Sequence, residues 1–565
     1  MESWKKRAAD KANSYIPEPM RLLQQGTVSR RGFLRAMAVL GVSAVVAACT
    51  PAKSAPEQPT TASAATVVPA ATQVPTAGST ATSAPTAQQS RVLRIANTGM
   101  ESSGFDIAST GSGQVPVASL MYEGLVRYKG GTADVEPWLA KSWETSPDNT
   151  TTTFHLQQGV QWQKGYGEFT ADDVKFAIDR IVNDKLPEAA NWANLDHVEV
   201  VDKYTVKIVM KSPSPTLFTL SLPFQAGMIL CQKAVQDLGA KAFNETPVGT
   251  GPYELESYDV GQSIKFKKFN NYWGTRVLDA DEVVIVFPSD SITSLQAGDI
   301  DVAPEDMHGL ANAKALGDTV GLASRLTRYW WISLPCTDPI LKDINARKAI
   351  RAAIDVNAII EAAGYGMAIR GYAMVPPGIV GYWADAPHYE RDVNQAKQFL
   401  KDAGYPDGFH IPFLAVSNPP DPAVEVVRQQ LAEVGIILDV DAVDDSTYWS
   451  LVCNGKHATV ISYQTLPDGD YTLEYFVTNQ QWNTMKWSNK QFDDLLKQEE
   501  GTIDANARAQ MLIQMQKLMD DDCAMVFIGY QPQGVAYRKA AVNLGPNDEA
   551  LLINGVLDTS RLRMV

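Results

Sequence analysis

The sequence predicts an α/β or α+β protein with mixed sheets, preceded by a long unstructured segment. Of its 565 residues, 45% are hydrophobic and 9% are aromatic, which is enough to form a large core. From Arg91 onward, short β-type runs alternate irregularly with amphipathic helices. At about 100 to 200 residues per domain, the length predicts roughly three structural units.

The first segment is typical of an export signal. Residues 29–35 read S-R-R-G-F-L-R, and the apolar stretch Ala36–Ala48 follows. A basic stretch before a short apolar run is the layout of a secretory signal. The apolar stretch is too short to span the roughly 30 Å hydrocarbon core as a helix. The pair Arg30 and Arg31 resembles the twin-arginine export signal, so we predict a signal peptide over residues 1–48.

The signal ends in a pattern that predicts a lipid anchor. Val46–Cys49 resembles the bacterial lipobox, in which the cysteine is lipidated and becomes the mature N-terminus. Thr50–Ser90 consists almost entirely of Thr, Ala, Ser, Pro, Val and Gln, a composition that cannot form a core. We therefore predict a disordered tether over residues 49–90, which joins a lipid on Cys49 to an extracytoplasmic body.

Charge and cysteine spacing exclude several classes of protein. Residues 91–565 carry a net charge of −20, so the body has no electrostatic footprint for nucleic acid. The five cysteines show no C-x-x-C spacing, and neither a zinc ribbon nor a dense disulfide framework is indicated.

Hydrophobic periodicity predicts the clearest strands and the first helix of the body. Thr151–Leu156 is β-branched and aromatic, and Val206, Ile208 and Met210 alternate with polar residues, so both stretches are predicted to be half-buried strands. Thr170 is predicted to cap a helix with one apolar face.

Two later helices follow from the same reasoning. A helix is predicted to begin at Asp392 and to end at Gly404, before Pro406. Near the C-terminus, methionine and leucine residues form a helical stripe that is typical of a core; they are Met511, Met515, Leu518 and Met519.

The sequence contains no catalytic constellation. It has no G-x-S-x-G elbow, and none of its six histidines begins an H-E-x-x-H motif. The glycine-rich Gly249–Pro252 has no following Lys-Ser/Thr, so it predicts a turn before a strand at Tyr253, not a phosphate loop. We therefore predict a protein that is not an enzyme and has no cofactor or metal.

Several segments together resemble one family, the extracytoplasmic solute-binding proteins of peptide/nickel-type ABC importers, solute-binding family 5. They occur in the family's order and span nearly all of the body. These segments are Y-E-G-L-V-R-Y (122–128), P-W-L-A-K-S-W-E (137–144), T-F-H-L-Q-Q-G-V-Q-W (153–162), F-T-A-D-D-V-K-F-A-I (169–178), P-V-G-T-G-P-Y (247–253), N-N-Y-W-G (270–274), L-Q-A-G-D-I-D-V-A (295–303), N-A-R-K-A-I-R-A-A-I-D (345–355), A-K-Q-F-L-K-D-A-G-Y-P-D-G-F (396–409) and Q-L-A-E-V-G-I (430–436).

The resemblance implies a two-lobed α/β periplasmic-binding-protein fold of type II, with a hinge between the lobes and an inserted third region. Ligand contact with both lobes would favour the closed state. The implied boundaries are 91–136, 223–333 and 529–565 for lobe I, 137–222 for the inserted region, and 334–528 for lobe II.

Two segments are candidates for ligand contact. Tyr329, Trp330 and Trp331 lie where the family places the strand that crosses the hinge. Because side chains alternate along a strand, Trp330 faces opposite to the other two, so at most one set can face the cleft. Tyr530 is a further candidate, at the place where the chain would return to lobe I.

The second segment is Ser462–Tyr471, which in peptide-binding members carries an aromatic wall and an aspartate that pairs with the ligand's α-ammonium. Here Pro467 takes the clamp position, and P-D-G-D is also strong turn chemistry. The candidate residues in this segment are Tyr463, Gln464, Asp468 and Asp470.

The resemblance implies a monomeric receptor that delivers a small solute to an ABC permease and ATPase complex. The solute is expected to be an oligopeptide or dipeptide-like molecule. An oligosaccharide is the alternative, since tryptophan and tyrosine stack well on sugar faces. A secreted hydrolase is disfavoured by the missing catalytic motifs, and a sensory role without uptake stays open.

Overall fold

A computed structural model describes residues 91–97, 104–110, 114–130, 132–417, 421–464, 468–546, 548–552 and 555–565. The predicted signal peptide, the tether, Arg30, Arg31 and Cys49 lie outside these residues, as does Pro467. The strands are β1 (Val92–Ala96), β2 (Val126–Tyr128), β3 (Val135–Pro137), β4 (Ala140–Thr145), β5 (Thr151–Leu156), β6 (Leu195–Asp202), β7 (Thr205–Met210), β8 (Tyr253–Asp259), β9 (Ser263–Lys268), β10 (Glu282–Val286), β11 (Val302–Glu305), β12 (Val320–Ser333), β13 (Ile369–Arg370), β14 (Phe409–Val416), β15 (Ile436–Val443), β16 (Ala458–Gln464) and β17 (Met525–Arg538). The α-helices are α1 (Val115–Met121), α2 (Ala171–Asn183), α3 (Gln232–Glu245), α4 (Ser291–Ala297), α5 (Met307–Lys314), α6 (Ile344–Ala353), α7 (Val356–Ala363), α8 (Val393–Asp402), α9 (Pro422–Ala432), α10 (Asp445–Val452), α11 (Gly469–Glu474), α12 (Lys490–Glu499) and α13 (Ala505–Asp521).

A mixed sheet of eleven strands runs through the body in the order β15-β14-β16-β12-β17-β11-β1-β10-β9-β8, and β13 pairs with β17. Parallel pairs join β15 to β14, β14 to β16, and β1 to both β10 and β11, while the remaining pairs are antiparallel. The sheet is mixed, as the sequence predicts.

A separate antiparallel sheet, in the order β4-β5-β7-β6, lies in the part of the chain that was predicted to be inserted. Both predicted strands are present, and every second residue of β5 and β7 is buried. Thr170 and Asp173 form the capping box of α2. The apolar side chains of this sheet share a core with residues of β1, β9 and β10.

Strands β12 and β17, each 14 residues long, run through more than one core. At one end of the pair, Ala323 and Val535 pack with β1, β9 and β10. At the other end, Trp330 and Ile528 pack against helices α6 to α9. This strand pair therefore joins two separate packing regions.

The later predicted helices are also present. Asp392 caps α8, and Met515 and Met519 are buried core residues of α13. The four cysteines in the described ranges are unpaired; they are Cys231, Cys336, Cys453 and Cys523. None of the helices in the described part of the chain is long and apolar enough to cross a membrane.

Candidate functional site

Three neighbouring parallel strands end at one edge of the large sheet. Strand β14 pairs in parallel with β15 along its length and with β16 at Phe413 and Leu414. The three strands end at Val416, Val443 and Gln464. In open α/β sheets, ligands bind in the crevice outside the carboxyl ends of the strands. This edge is therefore the candidate binding site.

A cavity of about 160 Å³ lies at this edge. Such a volume holds part of a small solute, and the wall combines aromatic, carboxylate, hydroxyl and amide groups. The lining residues are Trp330, Leu414, Ala415, Val416, Asp421, Val424, Asp445, Tyr448, Trp449, Val460, Ile461, Ser462 and Gln531.

Of the three predicted aromatic residues of β12, only Trp330 lines this cavity. Trp330 lies opposite Ser462 in the ladder between β12 and β16, so the two side chains share a face. The tryptophan is only 2% exposed, because most of its ring packs in the core formed with α6 to α9.

Tyr329 and Trp331 lie on the opposite face, as strand alternation predicts, and both are fully buried. Their rings stack 5.0 Å apart, and Tyr463 packs edge-on against Trp331 at 4.9 Å. The Tyr463 hydroxyl donates to the Trp482 carbonyl at 3.0 Å. These residues form a core beneath the sheet edge, and ligand contact by them stays a prediction.

Tyr530 and Gln464 lie on the same stretch of sheet. Tyr530 is buried and donates its hydroxyl to the Ala373 carbonyl at 2.6 Å. Gln464 is half-buried and lies opposite Arg328 in the ladder. Ligand contact by Tyr530 and Gln464 stays a prediction.

Arg328 is a candidate that the sequence reasoning did not single out. Its Nε donates to the Ser462 hydroxyl at 3.1 Å, and its Nη2 donates to the Ser462 carbonyl at 2.9 Å. Burial lowers the pKa of this guanidinium, and the carboxylate of Asp306 opposes that shift. The signal that could have found Arg328 is a lone charge immediately before the aromatic run R-Y-W-W.

Asp421 brings a carboxylate to the same cavity. It caps α9 by accepting from the backbone N–H of Ala423 at 2.8 Å. Burial raises the pKa of Asp421, and no cationic side chain of the described residues lies within ion-pair distance of it.

Asp468, the predicted partner of a ligand ammonium, is 1% exposed and already has three partners. Its Oδ1 accepts from Arg508 Nη2 at 2.9 Å and from the Asp470 backbone N–H at 3.2 Å. Its Oδ2 accepts from the Thr219 hydroxyl at 3.0 Å. Asp468 thus caps α11 and belongs to a buried ion pair, and a ligand ammonium would have to share it.

Arg508 serves several buried carboxylates at once. Its Nε and Nη2 contact Glu499 Oε1 at 2.6 and 2.5 Å. Burial raises the pKa of Glu499 to about 8, although the arginine opposes that shift. Burial and the neighbouring carboxylates raise the pKa of Asp470 well above its usual value. We call Asp468, Asp470, Glu499 and Arg508 the acidic cluster.

A second cavity, of about 290 Å³, lies beside the acidic cluster. One wall comes from residues 190–221 and the other from residues 470–501, so it separates the predicted inserted region from predicted lobe II. The lining residues are Ala190, Asn191, Ala193, Asn194, Ser212, Ser214, Thr216, Leu220, Ser221, Asp470, Tyr471, Glu474, Val477, Gln480, Leu496, Lys497, Glu500 and Gly501.

Glu123 joins four of the sequence segments on which the family resemblance rests. Its buried carboxylate accepts from Trp138, Thr250, Tyr272 and Trp273, each at 2.8 Å. Nearby, Gly249 and Gly251 press so closely on the carbonyl of residue 121 that an added Cβ would lie 1.8 and 2.7 Å from it. These motifs therefore have a structural role in this chain.

No cluster of three or more His, Cys, Asp or Glu suited to a metal ion occurs in the residues that the structure covers. What this site offers is hydrogen bonding, ion pairing and aromatic contact, which are the interactions of a binding site.

Comparison with known proteins identifies the group to which these features belong. Residues 134–484 match the family described as bacterial extracellular solute-binding proteins, family 5 Middle. The dipeptide-binding protein of Escherichia coli K12 is 30% identical over 464 residues, which cover 74% of this chain and 85% of that protein. Heme-binding protein A of Haemophilus influenzae is 28% identical over 447 residues, covering 73% and 81%.

Solved structures share the architecture. The periplasmic binding protein DppA of Helicobacter pylori, in complex with the peptide STSA, superposes with a TM-score of 0.68 at 24% identity. The match covers 84% of this chain and 98% of that one. The fold is therefore the two-lobed α/β binding-protein fold that the sequence predicts.

Proposed function

Because this chain belongs to the bacterial extracellular solute-binding proteins of family 5, we propose that it captures a peptide-like solute between two lobes and delivers it to an ABC permease and its ATPase. The match to a dipeptide-binding protein supports a peptide-like ligand. The observation that carries the proposal is the cavity at the carboxyl edge of the sheet, whose wall contains Asp421, Ser462 and Gln531. Relatives named as binding proteins also favour a receptor without enzymatic activity.

An oligosaccharide is the second candidate. Trp330 and Trp449 both line the cavity, and tryptophan faces stack well on sugar rings. A neutral sugar would need these faces and neutral hydrogen-bonding groups, and no ion pair.

We assign the lobes by the boundaries that the resemblance implies: 91–136, 223–333 and 529–565 for lobe I, with 137–222 inserted, and 334–528 for lobe II. Strands β12 and β17 support this assignment, because each packs with β1, β9 and β10 near one end and with α6 to α9 near the other. Trp330 and Ile332, near the end of β12, pack with α6 to α9, which favours a crossing point a few residues before the implied boundary at residue 333.

The anchor and the location are part of the proposal. Lipidation at Cys49 after export would hold the receptor outside the cytoplasm, with residues 49–90 as the tether, and the receptor would work as a monomer. The twin-arginine run before a lipobox supports this.

Two measurements on protein purified from its host test the receptor function. Native mass spectrometry is expected to identify a co-purified solute, which then serves as the ligand. Small-angle scattering is expected to show a smaller radius of gyration when this solute is added back, since a ligand that touches both lobes favours closure. Chemical conversion of the solute would contradict the receptor function.

A further inference from the structure

A third cavity, of about 60 Å³, lies within predicted lobe II. All of its lining residues fall between positions 351 and 527, and none of them lines either of the other two cavities. A cavity needs about 10–15 Å³ to hold one water molecule, so this one has room for a small molecule or ion.

Trp383 carries a buried hydrogen-bond donor without an acceptor. The side chain lines the cavity and is 7% exposed, and its Nε1–H has no partner among the described residues. An indole nitrogen can only donate, and a buried donor without an acceptor is costly. Since buried polar groups of native proteins are nearly always satisfied, this nitrogen indicates an acceptor inside the cavity. The ring packs with Ala373 and Ala386, which hold it in place.

Arg370, on β13, brings a positive charge to the same cavity. Its Nη2 donates to the Tyr389 backbone carbonyl at 3.3 Å, and its Nη1 is buried without a hydrogen-bond partner in the described ranges. The guanidinium lies 5.0 Å from the centre of the Tyr372 ring. The carboxylates that act on it are Glu390, which is exposed, and Asp355, which caps α7.

The other charges that line the cavity are already matched. Arg351 Nη1 pairs with Asp520 Oδ1 at 2.9 Å, and the Tyr389 hydroxyl donates to Asp520 Oδ2 at 2.6 Å. Asp520 is the one carboxylate among the lining residues, and both of its oxygens are used. What remains is the positive charge of Arg370 and the donor of Trp383.

These two groups together favour an occupant that accepts hydrogen bonds and carries negative charge. Burial lowers the pKa of the Arg370 guanidinium, and a neutral acceptor would leave that guanidinium without a counter-charge. A guanidinium binds an oxyanion through two parallel N–H groups, a geometry that a single halide ion cannot match. Lys517, whose Nζ lies 5.5 Å from the centre of the Trp383 ring, adds to the positive potential.

We propose that this cavity binds a small inorganic oxyanion, such as phosphate or sulfate, between the Arg370 guanidinium and the Trp383 indole N–H. The bound anion would join β13 to the segment around Trp383 and so stabilise this part of the chain. The site is separate from the capture of a solute between the lobes and does not rest on the proposed function.

Calorimetry on the whole chain tests this site with inorganic phosphate, sulfate and acetate as probes, in Tris chloride buffer of constant ionic strength. The variants are Arg370→Gln, which removes the charge, and Trp383→Phe, which removes the N–H but keeps an aromatic ring. The matched controls are Arg428→Gln and Trp143→Phe, because Arg428 is exposed and Trp143 lies in the separate sheet.

The wild type is expected to bind one phosphate or sulfate per chain with a dissociation constant of about 1 mM or lower. Each site variant is expected to weaken this binding about tenfold or more, since each loses a hydrogen bond to a charged group, while the controls leave it unchanged. Should Arg370→Gln fail to fold, Arg370→Lys replaces it and is expected to bind more weakly than the wild type, because lysine cannot form the paired contact.

Three results would overturn the inference. Binding of neither phosphate nor sulfate by the wild type, or an unchanged affinity in either site variant, would refute the site and leave solute capture between the lobes untouched. Tighter binding of acetate than of phosphate and sulfate would refute the inorganic oxyanion as the ligand class.

Discussion

Replacing Arg508 with methionine is expected to destabilise the folded protein in a pH-dependent way. Arg508 is 5% exposed and is the cation that pairs with both Asp468 and Glu499. Removing one partner of a buried ion pair generally costs about 3–5 kcal/mol, because a buried charge is left uncompensated. Methionine keeps much of the side-chain volume, so most of the loss is electrostatic.

The pH dependence follows from Glu499. Its folded pKa, raised to about 8, exceeds the unfolded value of about 4.3, so its protonated form contributes stability at low pH that is lost as the pH rises through 8. Without Arg508 this pKa rises further. At pH 5.5 Glu499 is protonated in both proteins, whereas at pH 9 only the wild type holds it ionised and paired. The loss of stability in the variant should therefore be larger at pH 9 by about 1.4 kcal/mol for one pH unit.

Urea denaturation followed by tryptophan fluorescence, at pH 5.5 and pH 9, measures this difference. The control is Arg428→Met, which breaks an ion pair with Glu425 whose side chains are 50% and 51% exposed. Such a pair contributes about 0–1 kcal/mol, so little change is expected at either pH. An equal loss at both pH values in the Arg508 variant would refute the role assigned to Glu499, because the lost contact with Asp468 and any packing defect do not depend on the protonation of Glu499.

Four further predictions concern the anchor, the buried carboxylates and the contact between residues 217–221 and α11. Cys49→Ala should move the protein from the membrane fraction to the soluble fraction; retention in the membrane would mean another anchor. Glu123→Gln should lower the free energy of unfolding by about 1–3 kcal/mol, and with it the urea midpoint, since an amide nitrogen cannot accept from the donors that surround it. Asp468→Asn should also lower the midpoint, whereas lost dipeptide affinity at an unchanged midpoint would identify Asp468 as a ligand contact. Thr219→Val removes the hydrogen bond from the predicted inserted region to Asp468 of predicted lobe II, of about 1.5–3 kcal/mol. If this bond forms only in the closed state, calorimetry should show weaker dipeptide binding, and unchanged affinity would show that it does not depend on closure.

Local patterns predicted the local elements well. The cap at Thr170 and the alternation of Val206 and Ile208 with polar residues each involve residues that are close together in the chain, so the sequence shows them directly. Strand alternation also predicted that Trp330 and Trp331 face opposite ways. Which of the two faces the cavity depends on the helices packed against each side of the sheet, and one strand carries no information about them.

The site chemistry could not be predicted in the same way, because it depends on distant partners. The local sequence around Asp468 indicates only an aspartate in a turn. The folded structure pairs it with Arg508, which lies 40 positions later in the chain. Glu123 and Trp273 are 150 positions apart and still form one hydrogen bond. Arg328 is a third case, since only the folded arrangement brings its guanidinium to Ser462, 134 positions later.

The pair formed by β12 and β17 restricts how the two packing regions can move. A hydrogen-bonded ladder resists sliding of one strand along the other, because sliding would break the whole row of bonds at once. Bending and twisting of the strand pair cost less free energy than sliding. This holds above all at the register shifts Leu326/Arg328 and Trp330/Trp331, where the row of hydrogen bonds is already interrupted. The strand pair is therefore expected to bend and twist more easily than its two strands slide along each other. Trp330 lies at the second of these interruptions and also lines the cavity, so a ligand in the cavity would lie beside the part of the ladder that bends most easily.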